Sequence, residues 1–119
     1  MRHAYAPYSE FRVGAALLTS DDEIVAGCNV ENSSFPAGGC AERGALAAAI
    51  VAGYREFTHL TIMTEAEEPT PPCGMCRQAL IEFSPALVVT SVTTTGVEAI
   101  WTLAELLPSP FTPQSLHHA

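Results

Sequence analysis

Residues 71–80, Pro-Pro-Cys-Gly-Met-Cys-Arg-Gln-Ala-Leu (PPCGMCRQAL), set Cys73 and Cys76 two residues apart, behind a proline pair and ahead of an apolar, helix-like run. A helix entered after proline has its first turn preset, because the missing N–H is one the helix does not use there. Residues three apart on a helix share a face, so both sulfurs can address one point. Upstream, Cys40 opens a second run, CAERGALAAAIVAGY (residues 40–54), dense in alanine and leucine with Gly53 as a C-terminal stop and Gly44 as a mild weakness. If both helices start at one edge of a sheet, three sulfurs converge from two helix N-termini, whose partial positive charge favours the thiolate.

The elements between these helices supply the sheet. RVGAALLTS (12–20) reads as a mostly buried strand ending in the polar cluster Ser20 to Glu23, a hairpin turn, and IVAGCNVEN (24–32) reads as the returning strand. Its end carries Asn29, Glu31 and Asn32, more polar groups than a structural strand needs. HLTIMTE (59–65) and LVVTSV (87–92) are further strands, and VEAIWTLAELLP (97–108) is a short strand or turn leading into a final helical turn. The order strand, strand, helix, strand, helix, strand predicts an α/β chain with a mixed sheet and helices packed across it.

Composition bounds the possible functions. The chain has 119 residues, the size of one domain, read as spanning 1–119. Apolar residues make up 48% and charged residues 15%, a lean polar surface that is expected to meet another subunit in part. Five Lys and Arg against thirteen Asp and Glu give a net charge of -8, which leaves no broad basic surface for a phosphate backbone and excludes a polymeric nucleic-acid partner. No apolar run is long enough to cross a bilayer and no cleavable leader is recognisable, so the expected compartment is the cytoplasm, without membrane partners. In that compartment a Cys-x-x-Cys more often means metal or redox chemistry than a structural disulfide.

Three sulfur ligands, Cys40, Cys73 and Cys76, leave a fourth tetrahedral position open, the mark of a catalytic rather than a closed structural metal, and an all-thiolate set favours zinc. Two other readings of the cysteines stay open here. The Cys73–Cys76 pair can exchange disulfides, although its Pro-Pro and Gly-Met flanks are unusual for that chemistry. Cys28 can close the metal set, although its place between Gly27 and Asn29 suits a small buried thiol. His3, His59, His117 and His118, near the termini or at a strand start, read as surface residues. Glu42, two residues after Cys40, is placed to take a proton from a water at the open position; the alternative is an ordinary first-turn glutamate favoured by the helix dipole.

CAER (40–43) followed by PCGMCRQ (72–78) resembles the zinc signature of the cytidine deaminase family. AYAPYSEFRVGAAL (4–17) resembles that family's N-terminal segment, GCNVENSSF (27–35) its nucleoside-binding strand and LLPSPF (106–111) its C-terminal end, so the resemblance covers most of the chain in order. It implies a three-layer fold with a mixed sheet of about five strands and helices on both faces. It also implies zinc-dependent hydrolytic deamination of cytidine or 2'-deoxycytidine with release of ammonia, as in pyrimidine salvage, by a homotetramer with shared active sites. In that scheme Cys40, Cys73 and Cys76 bind one Zn2+ per subunit, and Glu42 carries protons to N3 and the departing amino group. Asn29 and Glu31 hold the ribose 3'-hydroxyl, Phe11 packs on the base, Phe35 lies near the sugar, the Ala41 backbone meets the base carbonyl, and Phe111 completes a neighbour's pocket. Arg43 donates to a zinc-bound sulfur; three thiolates on a divalent ion sum to a net negative charge that a guanidinium offsets. Arg77 either shares that role or is a surface helix residue.

Three features depart from the family pattern. AYAPYS stands almost at the start, where the family usually carries a helix, so that helix is expected to be short or absent. Phe35 replaces a common tyrosine. FPAGGC (35–40) resembles the loop of deaminases acting on a bulkier cytosine-containing antibiotic, which keeps a modified cytosine nucleoside (N4-substituted or blasticidin-like) as an alternative substrate. A zinc-stapled binding module without turnover is the alternative from another class, and Glu42 argues against it.

Overall fold

VGAALLT forms β1 (Val13–Thr19), and its alternation of fully and partly buried residues lets it serve as an interior strand. It pairs antiparallel with β2 (Ile24–Cys28) on one side and with β3 (Phe57–Thr64) on the other. β4 (Val88–Thr93) then runs parallel to β3, and β5 (Glu98–Thr102) antiparallel to β4, giving a five-stranded mixed sheet in the order β2-β1-β3-β4-β5. The structure, a computed structural model, describes residues 1–117. His118 and the side chain of His117, both read as surface positions, lie outside what it describes, whereas His3 and His59 are exposed as expected.

The polar cluster at 20–23 makes the expected hairpin turn. Asp22 takes φ 65 there, and the Thr19 hydroxyl oxygen accepts the N–H groups of Asp21 (3.2 Å) and Glu23 (3.0 Å). The region 97–108 resolves into both of its expected parts, β5 and the short helix α3 (Leu103–Leu106). Thr102 caps α3 by accepting the Glu105 N–H at 3.2 Å, while its own hydroxyl donates to the Glu105 carboxylate at 3.1 Å.

Two long helices position the site, α1 (Ala41–Val51) between β2 and β3, and α2 (Gly74–Ile81) between β3 and β4; α3 and α4 (Pro113–His117) follow β5. Because β2 and β3 are both antiparallel to β1, they run the same way, and both connections step in one direction across the sheet. Right-handed crossovers of that kind put both helices on the same face and both helix N-termini at the same sheet edge. Ala15, Leu17, Leu60, Ile62 and Val89 of that face pack with Ala41, Ala45, Leu46 and Ala49 of α1 and with Leu80 and Ile81 of α2 in one buried cluster.

The α/β class and the five-stranded mixed sheet with packed helices are as the sequence predicts, and α1 and α2 bury their residues in one core cluster on a single face. The opposite face presents Leu18, Ile24, His59, Thr61, Met63 and Ile100, with Ile24 72% and Ile100 62% exposed.

Gly27 of β2 sets how closely α1 approaches the sheet. A Cβ there would stand 2.4 Å from the Ala45 nitrogen and 2.5 Å from the Ala41 oxygen, both backbone atoms that cannot swing aside. Gly27→Ala is therefore expected to lower the unfolding free energy by about 3 kcal/mol, the upper end of overpacking penalties, as read from urea unfolding midpoints.

Candidate active site

Each long helix begins at a cysteine. Cys40 is the N-cap of α1 and Cys73 the N-cap of α2; both have extended backbone, and neither spends its side chain on a capping hydrogen bond. Their sulfurs stay free and lie 3.7 Å apart. Cys76, one turn into α2 and fully buried, brings its sulfur to 3.3 Å from that of Cys73. All three Sγ atoms lie within 4.8 Å of one another. A tetrahedral zinc with Zn–S bonds of about 2.3 Å holds its sulfurs roughly 3.8 Å apart, so the trio fits that ion.

The electrostatics point the same way. Burial, and then the charge of Glu42, push the Cys76 thiol well above its ordinary range. Burial also pulls the Cys73 thiol upward, but hydrogen bonds from the Cys76 backbone and thiol and from Cys40 outweigh it and leave Cys73 below the ordinary range. Protein groups alone thus favour the thiolate at Cys73 and disfavour it at Cys76, where a bound cation would offset the cost of the buried charge. Arg43 contributes from the side: its Nη2 donates to the Cys40 sulfur at 3.9 Å, and its Nε is buried without a partner among the described residues.

The sulfurs open onto a cavity of about 630 Å³, within the usual size of small-molecule sites. Cys40, Cys73, Ala41, Glu42 and Arg43 form one wall, and Asn29, Glu31 and Phe35 line it elsewhere. Glu42 is only 5% exposed and has no hydrogen-bond donor from the described residues, so its carboxylate is kept for whatever enters the cavity. Cys28 stands at the end of β2, paired with Gly14 and outside the sulfur cluster, so it does not close the metal set. Convergence of a third sulfur beside a buried carboxylate also goes beyond what a disulfide pair requires.

Asn29 and Glu31 line the cavity but carry a structural load as well. Asn29 Oδ1 accepts the Val13 N–H at 3.0 Å, and its Nδ2 donates to the Phe11 carbonyl at 2.8 Å. Glu31 Oε1 accepts the N–H groups of Tyr8 (2.9 Å) and Ser9 (3.1 Å), and Oε2 accepts the Ser9 hydroxyl. A carboxylate has about four acceptor sites and a carboxamide two donor and two acceptor sites, so one acceptor on Glu31 and one donor with one acceptor on Asn29 remain. That remainder suits a single hydroxyl group.

Phe11, Arg77 and Phe111 are not among the residues of the cavity wall. Phe11 is half-buried and outside the cavity wall, to which it contributes only through its backbone carbonyl on Asn29. Arg77 does not reach the sulfurs and is not a free surface residue: its guanidinium donates to the carbonyls of Pro72 (from Nε) and Leu106 (from Nη1), each at 2.8 Å, tying the loop before α2 to α3. Phe111 is exposed and outside this chain's own cavity wall, its carbonyl accepting Gln78 Nε2 at 2.7 Å. Phe35 sits at the mouth, 77% exposed, in edge contact with the Tyr8 ring at 6.3 Å between centroids.

Asn32, marked with Asn29 and Glu31 at the end of the returning strand, lines the cavity too; other cavity residues were not singled out from the sequence, among them Tyr8, Ser9, Val13, Thr64 and Thr70. Ser9 alone carried a signal, a hydroxyl in a Pro-Tyr-Ser turn. Val13 and Thr64 come to the wall through strand register, and Tyr8 and Thr70 from the segments outside the strands.

Comparison with known proteins agrees with this geometry. The profile of the cytidine and deoxycytidylate deaminase zinc-binding region matches residues 1–92. A cytidine deaminase of Sporosarcina psychrophila is 43% identical over 117 residues, covering 98% of this chain and 86% of that protein. One of Halalkalibacterium halodurans is 40% identical over 116 residues, covering 96% and 87%. The crystal structure of cytidine deaminase from Burkholderia pseudomallei superposes with a TM-score of 0.89 at 46% identity, over 92% of this chain and 89% of that one. None of these relatives favours the bulkier cytosine substrate or the binding module without turnover. With the zinc-binding region matched over most of the chain and the three sulfurs gathered beside a buried glutamate, the chain belongs to the cytidine deaminase family.

Proposed function

We propose that the protein hydrolyses cytidine and 2'-deoxycytidine to uridine and 2'-deoxyuridine with release of ammonia, acting as one domain over residues 1–119 with one zinc per chain. The observation that carries this reading is Glu42, buried in the wall of the cavity directly beside three converged sulfurs.

Cys40, Cys73 and Cys76 would hold the zinc, which when bound would supply the Lewis acidity that makes water a nucleophile at neutral pH. The remaining work falls to the chain. Glu42 takes a proton from the attacking water and hands it to N3 of the base as oxygen adds at C4. It then takes the second proton from the oxygen added at C4 and gives it to the exocyclic amine, so that the C4–N bond breaks, ammonia leaves and a C4 carbonyl remains, as in zinc deaminases generally. The Ala41 N–H, unused at the first position of α1, meets the base carbonyl. The remaining hydrogen-bond capacity of Asn29 and Glu31 takes the 3'-hydroxyl, and Arg43 offsets the thiolate charge.

This reading places the protein in pyrimidine salvage in the cytoplasm; among the described residues no helix is long and apolar enough to cross a membrane. A homotetramer is supported by Phe111, exposed and outside its own cavity, which a neighbouring copy's pocket would take up. Ammonia release from cytidine, 2'-deoxycytidine, N4-substituted cytidines and free cytosine tests the proposal. The first two are expected to turn over well and free cytosine at least about 100-fold less efficiently, since remote binding energy is lost with the sugar. Absence of ammonia from every nucleoside with zinc-loaded protein would overturn it.

A further inference from the structure

The turn Tyr8–Phe11 borders the cavity and contains a strained residue. Glu10 has φ 58, left-handed backbone that a residue other than glycine adopts only when its surroundings hold it there. The holding groups are visible. Glu31 gathers the N–H groups of Tyr8 and Ser9 on Oε1 and the Ser9 hydroxyl on Oε2. The Ser9 oxygen in turn accepts the Phe11 N–H at 3.0 Å, spanning Glu10, and the Glu10 N–H donates to the Ala6 carbonyl at 2.9 Å. Ser9 therefore bridges the acid on the second edge strand's loop to the far side of the strained residue.

We propose that Ser9 is a positioning residue for sugar recognition, its hydroxyl fixing Glu31 Oε2 so that the one acceptor site left on that carboxylate meets the 3'-hydroxyl of the nucleoside. The proposal rests on the reading that Glu31 holds the sugar. The two backbone N–H groups grip only Oε1; without the hydroxyl, the other oxygen is free to turn about the terminal torsion, which is broad for a glutamate. The Ser9 hydroxyl is also the largest of the influences that draw the Glu31 carboxyl below its ordinary range, so the same bond keeps the acid an ionised acceptor. Asn29 clamps Phe11 and Val13 independently of Ser9, so loss of the hydroxyl leaves that part of the segment tied down.

The test compares Ser9→Ala and Ser9→Thr with the wild-type holoenzyme on cytidine and on 3'-deoxycytidine. Ser9→Ala is expected to raise KM for cytidine about tenfold, the value of one hydrogen bond to a charged group, with kcat nearly unchanged. With 3'-deoxycytidine the same substitution is expected to change nothing, and Ser9→Thr, which keeps the hydroxyl, to restore most of the cytidine KM. An equal loss on both substrates, or none on either, overturns the proposal while leaving the sugar reading of Glu31 intact. Wild-type enzyme that handles both nucleosides equally well overturns the sugar reading and this inference with it. If Ser9→Ala does not fold by thermal melting, Ser9→Cys, a weaker donor of similar size, carries the same two-substrate comparison.

Discussion

Glu42→Gln is expected to lower kcat for cytidine at least about 10³-fold while leaving one zinc bound per chain. Glutamine has the same shape and reach in the first turn of α1, so the packing of a residue that is almost fully buried is preserved. What disappears is an oxygen able to accept a proton and give it back, and the mechanism asks for that exchange at both N3 and the leaving amine. The metal set is untouched, because Glu42 is not one of the three converged ligands, and removing a negative charge beside three sulfurs does not weaken their hold on a cation. Ammonia release and zinc content by atomic emission, measured on one preparation, check both halves. A variant within tenfold of the wild-type rate would show that another group moves the protons.

Cys73→Ala is expected to abolish both metal and activity. The Cys73 side chain makes no capping hydrogen bond to α2, so its loss costs the helix little as a cap, and the effect falls on the ligand set. Two sulfurs remain, one of them in another helix, and zinc affinity should fall by well over 100-fold, more than loss of an outer-shell partner produces. Because bound metal stabilises the fold in proportion to the logarithm of its saturation, by about 4 kcal/mol at a thousandfold excess over Kd, the variant should melt lower than wild type. Chelator should bring wild-type protein down to the melting temperature of the variant and leave the variant unchanged. A variant that retains stoichiometric zinc would remove Cys73 from the metal site.

The metal centre was legible because its logic is local. A Cys-x-x-Cys at a helix start and a Cys-Ala-Glu at another fix sulfur and carboxylate directions within a turn each, and the strand order supplies the common sheet edge. The sheet was legible for the same reason, since the alternation in VGAALLT and the polar hairpin cluster are short-range signals. What the sequence hid depends on contacts far along the chain. Arg77 finds its carbonyls at Pro72 and at Leu106, the second of them 29 residues away, and nothing in PCGMCRQ distinguishes that from a donor to sulfur. Asn29 and Glu31 read as ligands for a sugar, yet most of their capacity is committed to the segment 8–13, which becomes their neighbour only through the pairing of β1 with β2. The side on which helices pack follows from crossover direction, a property of the assembled sheet.

Cys73 and Cys76 are close in any conformation of the chain, whereas Cys40 stands 33 residues from Cys73 and reaches it only once β1 lies between β2 and β3. A partly folded chain therefore offers zinc a two-pronged grip, and the three-pronged one arrives with the correct topology. Tight retention of the ion thus acts as a built-in inspection of the finished protein: misthreaded copies surrender it first, and with it the capacity to do chemistry.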